Sequence, residues 1–110
     1  MSNDDIDRKI AVIFATDLVG YSKHMEKDEN ATLRGLRECN KIIEIIIKKQ
    51  KGRIFNTGGD SVFAEFPSAV SAVDTAVEFQ KQIKYRNEKD TTDIKLEYRI
   101  GINMGDVVKE

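Results

Sequence analysis

One cysteine (Cys39) and one proline (Pro67) stand in a chain of 110 residues. A single thiol excludes an internal disulfide, and its place within a helical pattern reads as a small buried hydrophobe. With no secretory apolar segment either, the expected setting is reducing and cytoplasmic. Long apolar runs are also missing. The longest, Ile42-Ile43 and Ile45-Ile46-Ile47 around Glu44, is too short to span a bilayer and meets Lys48 and Lys49 at once. Nor is there an excess of one charge. The 18 Lys and Arg against 19 Asp and Glu leave a net −1, without the basic face that a nucleic-acid binder carries. The lone histidine, His24, has no second His or Cys nearby and reads as a surface residue rather than a ligand. No internal repeat or low-complexity segment is present.

What is there is globular: 40% of residues are apolar and 34% charged, enough for one domain of ordinary size. Residues 1–7 are polar and acidic and read as a flexible tail, with the folded unit over 8–110. Ile10 to Thr16 is almost continuously apolar, as a central strand covered on both faces would be. Val19 to Ser22 supplies a turn and a short helical start. Asp28 is an N-cap candidate for a long helix carrying Leu33, Leu36, Cys39 or Asn40, Ile43 and Ile46 or Ile47. Lys48, Lys49 and Lys51 suit the negative end of that helix, and Gly52 suits its left-handed terminus. The isoleucines from 42 to 47 exceed one buried face, so part of them is expected at a dimer interface.

Arg53–Asn56 and Ser61–Phe66 read as a hairpin, with the glycines of Thr57-Gly58-Gly59-Asp60 giving positive φ at the turn. Pro67-Ser68 stops the second strand and caps a helix with the stripe Ala69, Ala72, Val73, Ala76, Phe79 and Ile83. A charged loop over 86–93, a strand over 94–102 and the start of a further strand after Asn103 follow. The order β, α, ββ, α, β gives an α+β sandwich of ferredoxin-like or palm type, with helices packed on a mainly antiparallel sheet.

In such a sheet the first strand lies centrally beside the hairpin, so Asp17 at its end and Asp60 in the turn converge. Two close carboxylates repel unless a proton or divalent cation sits between them. Mg²⁺ takes one or two carboxylates with phosphate oxygens filling the rest of its shell, and the carbonyl of Leu18 adds a further oxygen. Gly20, Ser22 and their neighbours' N–H groups are candidates to cradle phosphate. On spacing alone the alternative stands equally: Asp17 as a helix cap and Asp60 as a turn residue.

The segments settle the matter differently when read as motifs. Phe14-Ala-Thr-Asp17-Leu-Val-Gly20-Tyr21-Ser22 resembles the opening metal-binding motif of the class III adenylate/guanylate cyclase catalytic domain. Asn56-Thr-Gly-Gly59-Asp60-Ser-Val-Phe-Ala-Glu65-Phe66 resembles that family's hairpin with its second metal aspartate. Asp28 to Leu33, Phe66 to Val70 and Arg99-Ile-Gly-Ile-Asn-Met-Gly-Asp106-Val extend the resemblance over residues 8–110. It implies a dimer with active sites at the subunit interface, where a ribose 3′-hydroxyl attacks the α-phosphate of a nucleoside triphosphate and pyrophosphate leaves. By the same resemblance Asp17 and Asp60 hold two Mg²⁺ or Mn²⁺ ions, and Phe14, Leu18, Val19, Gly20 and Tyr21 line the triphosphate pocket.

Two departures from the family pattern bear on activity. Where adenylate cyclases place a purine-selecting lysine and guanylate cyclases a glutamate, this chain has Asn56, whose amide can meet either purine edge; ATP is taken ahead of GTP. The family's transition-state asparagine and arginine fall beyond Glu110, so the chain reads as the N-terminal portion of a catalytic domain with low turnover of its own. A degenerate, non-catalytic module for dimerisation or nucleotide binding is the alternative. A diguanylate cyclase is a second one, although its hairpin continues Glu-Phe after the aspartate where Ser61-Val62 stand here.

Overall fold

The computed structural model describes the backbone of residues 7–109 and the side chains of residues 10–105; of the tail expected over residues 1–7, residues 1–6 lie outside them. Asp7 belongs to the first strand, β1 (Asp7–Leu18). From Val12 to Leu18 the burial along β1 alternates, while before it Ala11 is buried and Ile10 exposed. Val12, Phe14, Thr16 and Leu18 are buried, and Ile13, Ala15 and Asp17 only half-buried. The expectation of a strand covered on both faces is thereby corrected. Helices pack on one face only, and the apolar residues of the other face line an open sheet surface.

After β1 come α1 (Tyr21–Lys27), α2 (Glu29–Lys49), β2 (Arg53–Gly58), β3 (Ser61–Phe66), α3 (Ala69–Lys89) and β4 (Tyr98–Lys109). The sheet is antiparallel in the order β2-β3-β1-β4, which is the α+β, ferredoxin-like arrangement. The core lies between the even-numbered face of β1 and the two long helices. Phe14 meets Phe66 edge to face at 5.4 Å, and Phe79 meets Tyr98 at 5.1 Å, geometries worth roughly 0.5–1.5 kcal/mol beyond burial. Cys39 is fully buried on α2, as its helical spacing predicts.

Helix ends explain the boundaries. The Asp28 carboxylate accepts from Ala31 N–H at 3.0 Å and starts α2. Ser68 caps α3 in the same way through Ser71 N–H. At the end of α2 it is Lys51, not Gly52, that takes the left-handed conformation, with φ of 63°. Lys51 N–H bonds Lys48 C=O and Gly52 N–H bonds Ile47 C=O at 2.8 Å, the paired bonds of a Schellman terminus. Gly52 is needed for space instead: a Cβ there would meet Phe66 at 2.7 Å and Ile47 at 2.9 Å.

Three further expectations change. α3 runs to Lys89, because the Arg86 guanidinium is tucked between Glu38 of α2, Asp90 and the Ile94 carbonyl. Ile94 to Glu97 lies outside the sheet. The Asn87 side chain substitutes for a neighbouring strand, donating to Leu96 C=O at 2.7 Å and accepting from its N–H at 3.1 Å. Residues from Asn103 onward start no new strand; they continue β4, paired along the whole of β1. On the helices, Val73 and Ile45 point outward, Ile45 being 68% exposed.

Candidate functional site

Register brings the two aspartates together. β1 and β3 pair as far as Thr16 with Val62, and continuing one step at a time sets Asp17 beside Ser61 and Leu18 beside Asp60. The hairpin turn is short: Gly59, with φ of 55°, and Asp60 alone link β2 to β3. Of the two turn glycines only Gly59 uses positive φ, the place a tight hairpin reserves for glycine. The Asp60 carboxylate folds back onto β1 and accepts the Leu18 N–H through Oδ2 at 3.0 Å. Its other oxygen has no hydrogen-bond partner among the described residues.

The Asp17 carboxylate points to the open face and is clamped by Arg99 of β4, its direct register partner. Arg99 Nε lies 3.2 Å from Oδ1 and a terminal nitrogen 2.5 Å from Oδ2, a two-point contact suited to the planar fork of a guanidinium. Bonding to Asp17, with the more distant Asp60 charge, holds Arg99 above the ordinary arginine range. Asp17 and Arg99 line an open hollow of about 470 Å³ with Ala15, Ser61, Phe63 and Gly101. Arg99 stands outside the site residues that the sequence motifs single out. Its signal was available: Tyr98 and Ile100 face the core, so the charge between them must emerge on the opposite face, beside β1.

The other expected site residues are placed less uniformly. Leu18 has a buried side chain and enters the site through its backbone. Phe14 is 0% exposed on the helix-covered face, so its ring belongs to the core and only its backbone is near the open face. Val19 is half-buried, its N–H bonded to Glu97 C=O at 2.8 Å. Gly20 is exposed, left-handed and N-terminal to α1, and Tyr21 packs partly into the core. Asn56 follows a bulge at Phe55 that puts it opposite Phe63 on the open face. Phe55 and Phe63 rings lie 6.4 Å apart, and Arg53 sits over Phe55 while pairing with Glu65 at 2.8 Å.

Among the described residues no group of three or more His, Cys, Asp or Glu side chains gathers at a point fit for a metal. Two carboxylates with one free oxygen on Asp60 and an exposed approach fit a hard cation that completes its shell with water and phosphate. They do not fit a closed, all-protein metal cage.

No family model matches the chain. It is 37% identical over 111 residues to “Putative adenylate cyclase 3” of Rhizobium meliloti (strain 1021), a match covering all of this chain and 19% of that protein. Among solved structures, the adenylate/guanylate cyclase/hydrolase from Silicibacter pomeroyi superposes with a TM-score of 0.81 at 34% identity, over 96% of this chain and 62% of that one. The guanylyl cyclase Cya2 superposes with a TM-score of 0.80 at 27% identity, over 93% of this chain and 57% of that one. The chain thus spans 19% of the curated relative and less than two thirds of these solved relatives. No helix among the described residues is long and apolar enough to cross a membrane. By its motifs, its ferredoxin-like sheet and these relatives together, the chain belongs to the class III adenylate/guanylate cyclase catalytic domains.

Proposed function

We propose that this chain supplies the cation- and triphosphate-holding part of a nucleotidyl cyclase site, making a 3′,5′-cyclic nucleotide and pyrophosphate from ATP in preference to GTP. The observation that carries this reading is the 3.0 Å bond from Leu18 N–H to Asp60, which draws the hairpin carboxylate to the strand end that bears Asp17. Two Mg²⁺ or Mn²⁺ ions bound there would acidify the attacking hydroxyl and neutralise the phosphates. Asp17 and Asp60 would hold them, with the Leu18 carbonyl as a further oxygen. Arg99, beside Asp17, is a cation within reach of the triphosphate, and the turn of Val19, Gly20 and Tyr21, with Gly20 exposed, follows the same end of β1. Asn56 offers both a donor and an acceptor to a purine edge.

The uncovered sheet face, with Phe55, Phe63 and Asn56 on it, supports completion of the site by a second copy in a homodimer. Asn56 also favours one other reading, a cyclase-like module that binds nucleotide without turning it over. Assay of a chain extended beyond Glu110 with ATP and GTP in parallel, in Mn²⁺, separates the two. The cyclase reading expects a cyclic mononucleotide that disappears in Asp17→Asn; metal-dependent nucleotide binding without product supports the module.

A further inference from the structure

We infer that the Asp17–Arg99 pair is a latch on the cation site: guanidinium and divalent cation compete for one carboxylate, so Arg99 must leave Asp17 before the cation is bound. This rests on the reading of Asp17 as a cation ligand.

The geometry sets the competition. Arg99 bonds both oxygens of Asp17, so an ion cannot chelate the carboxylate on the side the fork occupies, and a guanidinium and a divalent cation held that close repel each other. The guanidinium also lies within electrostatic reach of Asp60. It therefore serves as the counter-charge that lets two carboxylates sit at one strand end without a metal, where they would otherwise repel. The latch is also easy to open. The Arg99 side chain is 70% exposed and that of Asp17 39%, and so exposed a pair is worth only a few-fold in any equilibrium that breaks it. Among the described residues Arg99 has no ion-pair partner other than Asp17, so once released it is free to face an incoming anion in the same hollow.

The test follows two NMR signals of the 110-residue chain during titration with Mg²⁺ alone: the Leu18 amide, which reports the Asp60 carboxylate, and the Arg99 Nε–H, which reports the clamp. Both are expected to move with one midpoint. Arg99→Gln is expected to tighten the Leu18 midpoint about two- to five-fold, the yield of removing an exposed ion pair. Arg99→Lys keeps the charge without the two-point fork and is expected to fall between. A Leu18 signal that responds while Arg99 Nε–H stays still overturns the latch alone, as does an unchanged midpoint in Arg99→Gln. If neither signal responds, the cation reading fails and the latch with it.

Discussion

The Leu18 N–H and the Asp60 carboxylate are joined at 3.0 Å across 42 residues of sequence. That bond fastens the hairpin turn to the end of β1, so fold and site share it. Asp60→Asn keeps an acceptor for Leu18 and should leave urea stability nearly unchanged while weakening cation binding. Asp60→Ala loses the acceptor as well, and should cost about 1 kcal/mol on top. Equal destabilisation by the two variants would mean that the carboxylate charge, rather than the bond, holds the turn.

The end of α2 offers a pair of opposite substitutions. Lys51 carries the left-handed conformation that glycine adopts freely, so Lys51→Gly should stabilise the domain by up to about 1 kcal/mol. Gly52→Ala drives a methyl into Phe66 and Ile47 and should cost roughly 1–3 kcal/mol. Chemical denaturation of both variants measures the contrast, and the same sign in both would contradict the assignment.

Inside the core, the Tyr98 hydroxyl is buried without a hydrogen-bond partner among the described residues. Burial pushes its ionisation far above the ordinary tyrosine range. Tyr98→Phe removes an unsatisfied group and should be neutral or stabilising by up to about 1 kcal/mol. Burial likewise pushes up the neighbouring Cys39 thiol. A thiol reagent should therefore react with native protein only at the rate of unfolding, and prompt modification would place Cys39 at the surface.

Asp90 governs part of the acid limb. The Thr92 hydroxyl bonded to it, with Arg86 and Lys95 nearby, holds its carboxyl below the usual range. A depressed folded pKa contributes stability above the unfolded value of 3.8, and that stability is lost as pH falls through the lower folded value. Asp90→Asn keeps an acceptor for Thr92 and removes the titration. Its thermal stability should therefore fall less steeply than wild type below about pH 4. Parallel curves for the two proteins in that range would contradict the linkage.

Much of this was legible in the chain itself because local signals and global fold agreed. The Asp28 and Ser68 caps, the α2 stripe ending at Ile47, the two-strand hairpin and the central place of β1 all follow from residue type and spacing. Two of the misreadings share a cause: a tertiary partner replaced the expected local one. Asn87 satisfied Leu96 and kept 94–97 out of the sheet, and the Arg86 contacts prolonged α3; β1 differs, because one face of the sheet is uncovered and leaves the apolar strand half-covered. Phe14 sat inside a site motif yet faces the core, since strand parity sends neighbours to opposite faces. Arg99 was hidden for the complementary reason. Its partner Asp17 is 82 residues away, and only the β1–β4 register reveals the pairing.

The proposed function rests on Asp17 and Asp60 acting as one divalent-cation pair. Titration of the chain with Mn²⁺, read by loss of the free-ion EPR signal, tests it most directly when run beside Asp17→Asn and Asp60→Asn. Saturable binding by the wild-type chain is expected, with an affinity at least about tenfold weaker in each variant, since losing a direct ligand costs no less than losing the outer-shell partner of one. Wild-type affinity in both variants, or no binding by the wild-type chain, would contradict it.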